Sequence, residues 1–229
     1  MHDGGERIDR LLVDQHFKLD HRTSAVYARL IIHAAVAAGN RLQPVVKIYN
    51  DLVQRQFRLQ HDVLLVDGGS GDDTITGSSE DDSLLGGDGA DVVNAEGGDD
   101  TVVGGTGSDS LAGGDGDDRL EGGTGNDTLE GHDGRDDLDG GDGHDLLTGH
   151  AGDDTLQSGS DADRLYGGPG DDVLNAGDGD NTLNGQTGND TLTAGDDDDR
   201  LYGGADDDVL DGGDGADRVR GHGGDDTLS

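Results

Sequence analysis

From position 68 to position 229 the apolar and polar residues repeat on a period of nine, eighteen times without a break. An aliphatic residue returns once per repeat: Ile75, Leu84, Val93, Val102, then Leu in each repeat except Val219. The residues on either side of it are mostly polar. Nine residues cannot hold the helix pair of a helical solenoid, but they suit one short strand and one tight turn. The pattern predicts a three-residue strand with one side chain inward and two outward. The full phrase is Gly-Gly-x-Gly-x-Asp-x-U-x, where U is Leu, Ile or Val; Gly86 to Asn94 and Gly167 to Asn175 show it clearly. The glycines of the first, second and fourth slots allow positive φ and close backbone approach, as a six-residue turn needs.

Positions 1–67 follow other periods. Val26, Tyr27, Leu30, Ile31, Ala34, Ala35 and Ala38 fall at helical spacing, with Gly39-Asn40 as a stop, so a helix over 24–38 is predicted; a period-two reading stands beside it. Beyond Pro44, segments 45–49 and 53–59 read as strands around Asn50-Asp51, and 61–66 as a strand entering the first turn. The expected organisation is a small mixed or helical N-terminal cap over residues 1–67 and a repeat domain over 68–229. Solenoids need such caps to cover their apolar ends.

Composition alone points to disorder, with 29% hydrophobic residues, 3% aromatic and a formal net charge of −37. The charge is unevenly placed. Residues 1–67 carry 9 basic and 8 acidic side chains; the repeats carry 6 basic and 44 acidic. That surface repels phosphate, which excludes nucleic acid as a partner and disfavours anionic lipid. Its natural partners are cations. The chain has no Cys, so neither disulfides nor thiolate metal sites enter, and no apolar run reaches membrane-spanning length.

The sixth slot holds Asp73, Asp82, Asp91, Asp100, Asp109, Asp118, Asp127, Asp136, Asp145, Asp154, Asp163, Asp172, Asn181, Asp190, Asp199, Asp208, Asp217 and Asp226. Carboxylates stacked at strand spacing repel one another, so something positive must sit among them. Ca²⁺ takes several carboxylate and carbonyl oxygens in a flexible shell. Mg²⁺ demands octahedral geometry and keeps its waters, and zinc lacks its usual ligands here. These eighteen residues are the candidate metal ligands.

The phrase resembles the RTX nonapeptide repeat, the hemolysin-type calcium-binding repeat of bacterial proteins exported by type I secretion, and the resemblance covers positions 68–229. It implies an all-β, right-handed parallel β-roll, with odd repeats in one sheet and even repeats in the other. It implies carbonyls of the second and fourth slots beside the sixth-slot residue as calcium ligands. An ion between each repeat and the one two further on gives about 16 at most, leaving roughly −6 of the repeat charge. The implied function is calcium binding, in a Ca²⁺-dependent folding module of a secreted or cell-surface bacterial protein. The type I export machinery and end-to-end self-association are the further partners implied.

Several slots depart from the phrase. Glu80, Asp161, Asp197 and Asp206 take the fourth slot; Ala95, Ser158, Ala176 and Ala194 the first; Glu96, His132, His150, Gln186 and His222 the second. The turns at Glu80 and Asn181 are the least certain sites. His132, His144, His150 and His222 read as solvated turn residues, with a transition-metal site as the alternative, since His132 and His150 lie two repeats apart. HExxH, GxSxG, P-loop and GxGxxG motifs are all missing, so the chain is not expected to be an enzyme. Alternative functions are the repeat tail of a larger secreted hydrolase (a protease or lipase) and an adhesive or ice-binding repeat module.

Overall fold

The computed structural model describes residues 29–34, 44–50, 56–57 and 64–229. It is built of strands arranged as a parallel β-solenoid in which two repeats complete one coil. Odd and even repeats stack in separate sheets, as expected. Strands carrying the aliphatic residue of even repeats, such as Leu84 and Val102, lie in a sheet of twelve; those of odd repeats, such as Val93 and Leu111, lie in one of ten. Each strand pairs in parallel with the strand of the repeat two further on. Leu120 thus faces Leu138, and Leu129 faces Leu147.

The strands are longer than the sequence pattern predicted. A typical one, Arg119–Thr124, spans six residues, from the seventh slot of one repeat to the third of the next. Two of its positions are buried, Leu120 in the eighth slot and Gly122 in the first. The first-slot glycine is therefore an inward-facing strand residue rather than a turn residue. Where the slot is not glycine, the buried residue is small: Ala95, Ser158, Ala176 and Ala194 are all 0% exposed. The turn shrinks to slots four to six.

Sixteen eighth-slot aliphatics, from Ile75 to Leu210, stack into one continuous core closed at its start by Leu64 and Val66. Val219 packs against its far end, and Leu228 is 48% exposed. The column is one aliphatic residue wide per strand, so each leucine packs chiefly on the copies above, below and opposite.

The helix predicted over 24–38 is corrected where the structure describes it. Arg29–Ala34 is a strand, antiparallel to Pro44–Asn50, with Ile32 opposite Val46. Its β-branched Ile31-Ile32 pair favours extended backbone, and a partner strand overrides helical spacing. Pro44–Asn50 then pairs in parallel with Leu64–Ser70, through an irregularity between Ile48 and Asn50, and so extends the twelve-stranded sheet. Gln56–Phe57 lies within the expected strand 53–59; the rest of that segment, 61–63 and the ends of the predicted helix fall outside the described residues.

Leu156→Ala, at a position 0% exposed in mid-array, is expected to cost about 2–5 kcal/mol. Leu228→Ala at the exposed end should cost under about 1 kcal/mol. Equilibrium urea titrations of the folded protein measure both.

Candidate metal centres

The sixth-slot side chain does two things at once. Its Oδ1 accepts the backbone N–H of the sixth-slot residue one coil earlier, as when Asp136 donates to Asp154 at 2.9 Å and Asp127 to Asp145 at 2.8 Å. The bond recurs at the sixth-slot residues on to Asp226, Asn181 included. At Asp82 the donor is the Leu64 N–H. Aspartate is the right length for this clamp between coils.

The other oxygen turns inward. Oδ2 of Asp91, Asp100, Asp109, Asp118, Asp127, Asp136, Asp145, Asp154, Asp172, Asp190, Asp199 and Asp208 is buried and meets no hydrogen-bond donor. A buried carboxylate oxygen without a donor is costly, and a cation is the usual compensation. The first-slot glycine makes room for it. A Cβ built on Gly122 would fall 2.5 Å from Asp127 Oδ2 and 2.6 Å from the Gly140 carbonyl oxygen. Two acceptors thus converge beside the first-slot Cα, an approach that a small residue permits: glycine in most repeats, alanine at Ala95 and Ala194.

The second and fourth slots need glycine for another reason. Gly123 and Gly125 sit at φ +107° and +133°, and a Cβ on either would run into the Gly105 or Gly107 carbonyl below. Where other residues take these slots, the Ser78–Glu80 turn apart, the backbone tightens into the ordinary left-handed region. Glu96, His132, His150, Asp161, Gln186, Asp197, Asp206 and His222 all lie between φ 76° and 85°. Each keeps its carbonyl.

Two sites differ in kind. Asn181 retains the clamp on Asp163 but carries an amide in place of the second oxygen, and its Nδ2 donates to the Gly177 carbonyl at 3.2 Å. By that geometry the second atom of the side chain faces the second-slot carbonyl of its own repeat, an arrangement that two acceptors hold only around a proton or a metal cation. At the Ser78–Glu80 turn neither Ser78 nor Glu80 has positive φ, and the Ser78 N–H donates to Asp82 Oδ2 at 2.7 Å. These are the two turns that the sequence marks as doubtful.

Burial pushes most of the sixth-slot carboxyls upward, and neighbouring carboxylates add to it. Asp100 is raised to about 8, Asp136 and Asp172 to about 7, and Asp91, Asp118, Asp145, Asp154, Asp190 and Asp199 to about 6, against 3.8 for the free side chain. The clamp N–H pulls the other way without winning.

A second acceptor row was missed from the sequence. The fifth-slot side chain accepts the fifth-slot N–H of the following coil: Asp99 from Asp117, Asn126 from His144, Asp171 from Asn189. Ser108 does the same for Asn126, and His144 Nδ1 for Ala162. The signal was there, because the slot holds mostly Asp, Asn, Ser or His, all acceptors. These residues are exposed, so part of the acidic charge serves the backbone and stays in water. Among the histidines, His132 and His150 are brought together, while His222 stacks near Tyr202 at 6.1 Å.

A family model for the RTX calcium-binding nonapeptide repeat matches in seven overlapping segments, from residues 67–102 to 193–228. The chain belongs to the RTX calcium-binding repeat family. No curated protein matches it. Among the described residues no helix is long and apolar enough to cross a membrane.

The raised carboxyls set a pH dependence for this RTX array without divalent ions. The folded state binds more protons than the unfolded chain between about pH 4 and pH 8, so its stability falls as pH rises through that window. In divalent-free buffer the strand signal in circular dichroism is expected to be larger at pH 5 than at pH 8.

Proposed function

We propose that the chain is a calcium-dependent folding module of a secreted or cell-surface bacterial protein, a binding module rather than an enzyme. The observation that carries this is the row of buried Oδ2 atoms without donors, together with its exception at Asn181, where an amide supplies the missing hydrogen. The sixth-slot aspartates and the second- and fourth-slot carbonyls supply oxygen ligands alone, which suits a hard ion, and their spread over two coils suits the flexible shell of Ca²⁺ better than the octahedron of Mg²⁺. Calcium supplies the positive charge that a thin core and stacked carboxylates require, so its binding energy is folding energy.

The same chemistry supports an extracellular setting. Extracellular calcium modules bind at about 10⁻⁴–10⁻³ M, so the array stays empty in the cytosol, where self-repulsion keeps the chain extended, and fills outside. The ions number fewer than one for each pair of stacked repeats, because Asp82 and Asn181 already satisfy their second atoms within the protein.

Strand signal is expected to rise cooperatively with millimolar Ca²⁺ and to stay low with equal Mg²⁺; an equal rise with both ions overturns the reading. Asn181→Asp is expected to add about one bound Ca²⁺ per chain and Asp136→Asn to remove about one, counted by calorimetry. Unchanged counts in both variants would disprove the assignment of the sixth slot.

A further inference from the structure

The two sheets treat the second slot differently. Throughout the twelve-stranded sheet it is glycine. In the ten-stranded sheet it is glycine only at Gly114, Gly168 and Gly204, and elsewhere it carries a polar side chain. His132 and His150 are the one pair of histidines in this column on adjoining strands, directly opposite in register. Both hold φ in the left-handed region, at 84° and 76°, which histidine tolerates better than most residues. Their rings stack 4.8 Å apart and 4° from parallel. Glu130, two residues before His132 on the same strand and the same face, brings its Oε2 to 3.5 Å from His132 Nε2.

We propose that Glu130, His132 and His150 form a site for a divalent transition ion such as Zn²⁺, on the outer surface of the roll and separate from the oxygen-lined turns. The three donor atoms lie within 4.8 Å of one another. Ligation at about 2.0–2.1 Å draws two donors to within ~4.2 Å, so the imidazoles pivot slightly out of their stack toward each other. Both side chains reach solvent, His132 half-buried and His150 exposed. Two imidazoles and a carboxylate are a borderline donor set, which selects Zn²⁺, Cu²⁺ or Ni²⁺ over Ca²⁺ and Mg²⁺. The sixth-slot sites present only oxygens and select the other way, so the two kinds of site fill independently from a mixture. Three protein ligands leave a further position for water or for a donor on another molecule.

The test is a Zn²⁺ titration by calorimetry of the full chain in saturating Ca²⁺, beside a His132→Gln/His150→Gln double variant. Gln186 occupies the same slot at φ 82°, so glutamine is already tolerated there. The wild type is expected to bind one Zn²⁺ more than the double variant, with Glu130→Gln weaker than wild type and the calcium response in circular dichroism unchanged in both. Equal Zn²⁺ uptake by wild type and double variant, or none by either, overturns the proposal. Should the double variant fail to fold, substoichiometric Cu²⁺ added to the calcium-loaded wild type decides by NMR. Selective broadening of the His132 and His150 ring signals supports the site, and uniform or absent broadening of the histidines refutes it.

Discussion

Everything in this fold hangs on a carboxylate whose two oxygens have opposite circumstances. One closes a hydrogen bond to the coil below and is satisfied, as in the bond from Asp136 to Asp154. The other is carried by that bond into a buried space among acceptors. The clamp fixes the position of the second oxygen, and the second oxygen then needs a positive partner. Asparagine in the same slot shows the separation of the two tasks: Asn181 clamps as well as any aspartate, and its amide donates where the carboxylate cannot. Structure and ligand demand are thus set by a single residue type at a single period.

The rest of the repeat serves that arrangement. The leucine column gives a core one residue wide, too thin to order so many residues unaided. First-slot glycine clears the space around the second oxygen, while second- and fourth-slot glycines let one carbonyl approach the coil above. On the proposed reading, ion binding and folding are then one event, which accounts for a chain that is strongly self-repelling and yet regular.

Much of this was legible in the sequence, and the failures have physical causes. Periodicity located the strand, the core leucines and the sixth-slot residues that clamp the coils, and the departures at Glu80 and Asn181 fall in the two turns that close on themselves. First-slot glycine was misread because glycine in a Gly-Gly pair suggests a turn; only the alternation continuing past Leu120 to Gly122 shows that it faces inward. The fifth-slot ladder was hidden because its partners lie a full coil apart and mix Asp, Asn, Ser and His, which look unrelated until their shared role as acceptors is seen. At Arg29–Ala34 helical spacing lost to strand pairing, because a partner strand can satisfy extended backbone wherever the β-branched residues favour it.

A stack of this kind has nearly one-dimensional energetics, each coil gaining from its neighbours alone. Clamps and shared acceptor sites both join a repeat to the one two further along, so cooperation runs separately down the odd and the even column, coupled through the common leucine core. Asn181 belongs to an odd repeat and the Ser78–Glu80 turn to an even one. Each internally satisfied turn keeps its clamps, so on the proposed reading it removes an ion site from one column only, while the facing column continues past it. On the same reading, losing ion sites from both columns at one coil would weaken the stack there, and exceptions placed on different coils leave the common core tied by at least one column throughout.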